Sequence, residues 1–130
     1  MNVIMITGKA GSGKTTTINL IYCQLRSIGA IELEKRTQVG NNPLDFQCLL
    51  EHQSKRRTIK IGFFSMGDTS KPIYNALEYY NNIHCDFLII ANRNYQDITE
   101  KIKADYDGNV KIILRQTKHE LAKSIVKYIK

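Results

Sequence analysis

The stretch that most restricts this chain is its beginning, where a short apolar run, a glycine-rich turn and an amphipathic run follow one another without a break. Asn2–Thr7 (NVIMIT) is β-rich and does not alternate, as expected of a strand covered on both faces of a parallel sheet. Ile18, Ile21, Tyr22, Leu25 and Ile28 then recur at helical spacing, with Gly29 placed to end the helix, so the spacing predicts a helix over 14–28. Between them lies Gly8-Lys9-Ala10-Gly11-Ser12-Gly13-Lys14-Thr15, a G-x-x-x-x-G-K-[ST] pattern. Glycines there let backbone N–H groups curl around an anion without Cβ clashes. The helix that follows offers unpaired amides and a positive dipole end to the same anion. A phosphate would therefore lie against Gly8, Ala10, Gly11, Ser12, Gly13, Lys14, Thr15 and Thr16, with the Lys14 ammonium on the β- and γ-phosphates and the Thr15 hydroxyl on a Mg²⁺.

These residues, with the strand before and the helix after them, resemble the P-loop NTPase superfamily. The resemblance implies a purine nucleoside triphosphate, ATP favoured, bound with Mg²⁺ by a slow ATPase or a nucleotide-dependent switch. It also implies a second carboxylate at the end of a neighbouring apolar strand, facing the metal opposite Thr15. Asp68 is the candidate, as a metal-associated and catalytic partner of Lys14, although Ser65 holds the position directly after the strand and Ser65-Met66-Gly67 intervene. As an alternative, Asp68 caps the next helix. Lys9 resembles a second loop lysine of some relatives, but Ala10 stands where those carry Gly, which favours a solvated lysine. A hairpin after the first helix resembles the connection in small GTPases, with Thr37 as γ-phosphate sensor. The guanine-reading Asn-Lys-x-Asp is replaced by Asn92-Arg93-Asn94-Tyr95, which favours ATP over GTP.

Along the rest of the chain, residues 30–34 alternate as a short half-exposed strand, and 35–43 read as a mobile polar loop. Residues 45–52 and 57–65 form a hairpin around Gln53-Ser54-Lys55-Arg56, with Asp45, Gln47 and Glu51 on the outward side of the first arm. Ser70 is the expected N-cap of a helix carrying Pro72, Ile73, Ala76, Leu77 and Tyr80 and ending at Asn81-Asn82. A buried strand over 85–91 and a weakly periodic helix over 95–104 follow. Asp107-Gly108 signals a turn, 110–114 a last strand, and Thr117-x-x-Glu120 a capping box ahead of a helix with Leu121, Ala122, Ile125, Val126 and Ile129 on one side. Alternating strands and helices predict one domain over 1–130. Its expected fold is a three-layer α/β/α sandwich with a mainly parallel sheet, the phosphate-loop strand central, and one inserted β-hairpin.

The chain has 130 residues and a net charge of +7, and no apolar run approaches the length of a membrane span. That size leaves little room for the acceptor pocket and arginine-bearing lid of a small-molecule or nucleotide kinase, the alternative reading. Arg36, Arg93 and Arg115 lie near expected strand ends, where a guanidinium can meet phosphate. Lys55-Arg56-Arg57 and Lys111, Arg115, Lys118, Lys123, Lys127 and Lys130 suit a nucleic-acid-associated module, though lysines opposite an apolar stripe also keep a surface helix soluble. The opening residues lack a secretory pattern, and Cys23, Cys48 and Cys85 include no C-x-x-C, so a cytoplasmic protein with reduced, mostly buried thiols is expected. His84 and Cys85 are adjacent and poorly placed to share a metal.

Overall fold

The computed structural model describes residues 1–9, 11–93, 95–106 and 119–129, and the backbone of 110–113 and 118. Its strands are β1 (Asn2–Thr7), β2 (Ile31–Gln38), β3 (Phe46–Gln53), β4 (Thr58–Phe64), β5 (Phe87–Asn92) and β6 (Val110–Ile113). Its helices are α1 (Lys14–Ser27), α2 (Ser70–Asn82), α3 (Gln96–Asp105) and α4 (Lys118–Ile129). One sheet holds all six strands in the order β2-β3-β4-β5-β1-β6.

The expected fold class is corrected by this order. The sheet is mixed: β4, β5, β1 and β6 run parallel to one another, whereas β2 pairs antiparallel with β3 and β3 antiparallel with β4. An antiparallel meander of three strands thus stands where a single inserted hairpin was expected. The strand ahead of the glycine-rich loop, expected to be central, is not central either, since β1 lies next to last, between β5 and the edge strand β6. The middle belongs to β4 and β5, and β5 is buried at all six of its positions. An apolar run marks a strand as covered on both faces, but it does not rank strands by distance from the edge.

The second departure is β2. It continues through Lys35–Gln38, the stretch expected to be a loop, and its burial alternates along the strand. An edge strand needs only one partly covered face, so Glu32, Glu34 and Arg36 can stand among more exposed neighbours in regular β structure. The pairing with β3 shifts register between Glu32 and Glu34 and again between Glu34 and Thr37.

Two apolar clusters fix the helices to the sheet. Ile18, Ile21 and Leu25 of α1 and Leu121, Ala122, Ile125, Val126 and Ile129 of α4 pack with Ile4, Ile6, Phe46, Phe63 and Ile89 on one face. Ile73, Ala76, Leu77 and Tyr80 of α2 and Ile98 and Ile102 of α3 pack with Val3, Met5, Phe64, Leu88 and Ile90 on the other. The split follows the two-residue period of β1 and β5, whose consecutive side chains go to opposite faces. The Tyr80 hydroxyl, buried among these residues, donates to the Cys48 and Phe63 carbonyls at 3.1 and 3.0 Å, satisfying a polar group that would otherwise be costly to bury.

Smaller expectations are also adjusted. The N-cap of α2 is Thr69, in extended conformation, with Ser70 already helical. Cys23 is exposed, while Cys48 and Cys85 are buried, and burial pushes both of those thiols up to about 12. His84 lies in the turn after α2 with a φ of 59°, not in a strand. The Asp107-Gly108 turn and Thr117 of the capping box lie outside the described residues, as do Leu114, Arg115 and Lys130 and the side chains of Lys111 and Lys118. No helix among the described residues is long and apolar enough to cross a membrane.

Candidate functional site

The loop after β1 is positioned by the parallel part of the sheet. The Gly8 amide donates to the Asn92 carbonyl at the end of β5, 3.3 Å away, so the turn leaves the strand at the carboxyl end of its neighbour. Gly11 and Gly13 adopt φ of 76° and 100°, the left-handed region where a Cβ is strained. Gly13 is also the N-cap of α1, and no side chain caps the helix. The first amides of a helix have no intrahelical partner, and here the positive end of the helix dipole lies behind them without a side-chain cap. Further along the first turn, the Thr17 hydroxyl donates to the Gly13 carbonyl at 3.0 Å and is fully buried.

Lys14 folds back over the loop. Its ammonium donates to the carbonyls of Gly8 and Lys9 at 2.9 and 3.0 Å, and Lys14 is 6% exposed. Burial lowers its pKa from the ordinary lysine value; Asp68 and Asp45 oppose that shift and Arg93 adds to it. The Ser12 hydroxyl oxygen is buried without a hydrogen-bond partner among the described residues. Thr16 is exposed, and Ala10 lies outside the described residues.

The acid nearest Thr15 is Asp45. The Thr15 hydroxyl donates to Asp45 Oδ1 at 2.9 Å, and the Ser65 hydroxyl donates to the same oxygen at 3.1 Å. Ser65 is 1% exposed and in turn accepts from the Phe46 amide at 2.9 Å, so its position after β4 is used to hold Asp45. Asp68 instead meets Lys14, Oδ1 to Nζ at 3.9 Å, with its own side chain 56% exposed. It is held by its carbonyl, which accepts from the Tyr95 hydroxyl, and it precedes the Thr69 cap rather than capping α2 itself. The Ser65-to-Asp68 loop is pinned from below: a Cβ on Gly67 would stand 2.4 Å from the Ala91 carbonyl carbon, and the Gly67 carbonyl accepts from the Arg93 amide.

Nothing in the sequence marks Asp45 for this role, since alternation puts it on the outward side of a strand. It lies just before β3, where alternation no longer assigns a face, and it is 7% exposed. Asn19 was missed as well. Its amide donates to the Thr15 and Leu44 carbonyls, and it accepts from Arg36. The Arg36 guanidinium lies 3.9 Å from the Phe46 ring centroid and 4.9 Å from that of Tyr22, a cation–π position between α1 and the meander. Thr37 is in β2 and its hydroxyl donates to the Lys35 carbonyl, so it does not sit in a loop ahead of the hairpin.

A separate group of basic side chains gathers at the opposite end of the sheet. His52, Lys55, Arg56, Arg57 and Lys127 line a cavity of about 760 Å³ there. Arg57 is paired with Asp86 at 3.0 Å, and Asp86 also accepts from the Lys60 amide. At the loop end, the donors that suit a hard divalent cation are the Thr15 hydroxyl and the Asp45 and Asp68 carboxylates, all oxygen. No group of three or more His, Cys, Asp or Glu placed to hold a metal ion occurs among the described residues. A family-model scan, a search of curated proteins and a search of solved structures each find no match to this chain.

Proposed function

We propose that this protein binds ATP with Mg²⁺ through the loop from Gly8 to Thr15 and acts as a slow ATPase or nucleotide-dependent switch. The observation that carries the proposal is the conformation of that loop: left-handed Gly11 and Gly13, an uncapped α1 N-terminus and the Lys14 ammonium held over the turn by the Gly8 and Lys9 carbonyls. Phosphate oxygens accept hydrogen bonds better than peptide carbonyls do, and they carry charge. Lys14 would exchange its two carbonyl partners for β- and γ-phosphate oxygens over a short swing, while the α1 amides and the Ser12 hydroxyl complete the cradle.

Bound Mg²⁺ would supply Lewis acidity and offset phosphate charge, with the Thr15 hydroxyl as its protein ligand. In hydrolysis, water adds to the γ-phosphorus and the bond to the β–γ bridging oxygen breaks, giving ADP and phosphate; Lys14 stabilises the charge that moves onto the leaving oxygen. Of the two acids beside the loop, Asp45 is bonded to two hydroxyls and Asp68 is turned to Lys14. Neither is presented as a ready general base, which favours slow turnover.

A thermal-shift titration tests the proposal. A ligand at 100 times its Kd that binds only the folded state stabilises it by about 2.7 kcal/mol. MgATP should raise the midpoint correspondingly, and Lys14→Ala should remove most of the shift. The absence of any shift with any purine triphosphate at millimolar concentration would overturn it.

A further inference from the structure

We propose that Asp45, not Asp68, is the acid on the metal side of the phosphate loop, where it orients Thr15 toward Mg²⁺ and holds the metal's water. The inference rests on the nucleotide-binding reading above. Its first support is the direction of the Thr15 hydroxyl: the proton is donated to Asp45 Oδ1 at 2.9 Å, which leaves the oxygen lone pairs to be shared with a cation. An acid that accepts this proton fixes the hydroxyl as a metal ligand.

The second support is an imbalance of charge. Asp45 is 7% exposed, yet its hydrogen-bonding side-chain partners are the neutral hydroxyls of Thr15 and Ser65, and no salt bridge reaches it among the described residues. The Lys14 ammonium acts on Asp45 only through space, without pairing with it; a buried carboxylate whose direct partners are all neutral is costly, and a divalent ion beside Thr15 would put a positive charge in contact with it. Asp68 has no such deficit, being half exposed and within 3.9 Å of Lys14.

The third support is rigidity. The Asp45 carbonyl accepts from the Val39 amide and its own amide donates to the Asn42 carbonyl, both at 3.0 Å; the preceding Leu44 carbonyl is held by Asn19. An acid meant to hold a metal's water benefits from such outer contacts. The acid thus comes from the amino end of an antiparallel strand, two strands away from β5 in the sheet, and Ser65 at the end of β4 serves as its bracket.

The test is ATP affinity by calorimetry, with Mg²⁺ and with EDTA, for the wild type, Asp45→Asn and Asp68→Asn. Outer-sphere partners of a metal site typically change its affinity by about 10–100-fold. Asp45→Asn should shrink the ratio of ATP affinity with Mg²⁺ to that in EDTA by that order, and Asp68→Asn should keep the ratio. A mere structural role would weaken both conditions alike. Full retention of the enhancement in Asp45→Asn, or its loss in Asp68→Asn alone, overturns the assignment. If Asp45→Asn does not fold, Asp45→Glu replaces it: the charge is kept but displaced by a methylene, so an undiminished enhancement there equally overturns the assignment. Failure of the wild type to bind ATP both with Mg²⁺ and in EDTA defeats the nucleotide reading itself, a result distinct from either.

Discussion

The parallel strands β4, β5, β1 and β6 and the antiparallel strands β2 and β3 contribute to the site in different ways. The parallel part supplies backbone: the turn from Gly8 to Gly13, the uncapped start of α1 and the Asn92 carbonyl that anchors Gly8. The antiparallel part supplies a side chain, Asp45, delivered to Thr15 from thirty residues away in sequence. Backbone cradles are specified locally, because glycines at fixed offsets determine the turn; a carboxylate reaching in from elsewhere is specified only by the tertiary fold. The cores differ in parallel fashion. β1 and β5 are covered on both faces, whereas β2 is partly exposed throughout.

That contrast can be broken most directly in the doubly covered strands. Ile89 in β5 is fully buried, and Ile89→Ala should cost about 2–5 kcal/mol in denaturant unfolding, the range for large-to-small core changes. The counterpart on the meander is Ile31→Ala: Ile31 is 54% exposed, so a change within about 0.5 kcal/mol is expected. Equal losses at the two sites would erase the distinction between the parts.

Next in size is Gly67→Ala, which probes where the loop after β4 crosses the end of β5. The added Cβ would meet the Ala91 carbonyl carbon at 2.4 Å and its oxygen at 2.5 Å, and a backbone neighbour in a central strand cannot step aside. A loss of about 1–3 kcal/mol is expected. Because Asp68 follows directly, the same variant should weaken its ion pair with Lys14, read as a change in the pH dependence described next.

The smallest effect concerns Lys14 itself. Burial lowers its pKa, so between that lowered value and 10.5 the folded chain binds fewer protons than the unfolded chain. The sign follows from linkage: stability rises with pH across this window. ATP affinity should move the other way, falling as pH rises through the lowered pKa, because phosphate selects the charged ammonium. Lys14→Arg should flatten that fall, since a guanidinium stays charged. An affinity that is level up to pH 10.5 in the wild type would show that the loop does not depress the lysine.

Much of the doubly covered part was legible in the chain. The bounds of β1 follow from NVIMIT alone, α1 from its helical stripe, and β5 from an apolar run within one or two residues. The order of those strands was not, because parallel neighbours are joined through helices and carry no mark of which lies beside which. The extent of β2 was hidden for a different reason. Lys35–Gln38 has the composition of a loop, and only pairing with β3 makes it a strand. Asp45 was hidden by the same long-range pairing, and Ser65, which the sequence offers as a hydroxyl able to hold a metal's water, donates to Asp45 instead.

The anchoring of Gly8 by Asn92 also bears on the order in which this molecule is built. β1 has as its sheet neighbours β5 and β6, formed by residues 87–92 and 110–113, whereas β2, β3 and β4 can pair with close sequence neighbours. Contacts between distant segments carry a larger loop-closure cost and form more slowly. During synthesis the meander can therefore close while β1 and α1 still lack their sheet partner, and their apolar faces remain exposed until residue 92 has emerged. The loop acquires its anchored shape only with that closure. A ligand that selects this shape would reward chains that have closed the sheet and offer no early refuge to the segment that carries the loop.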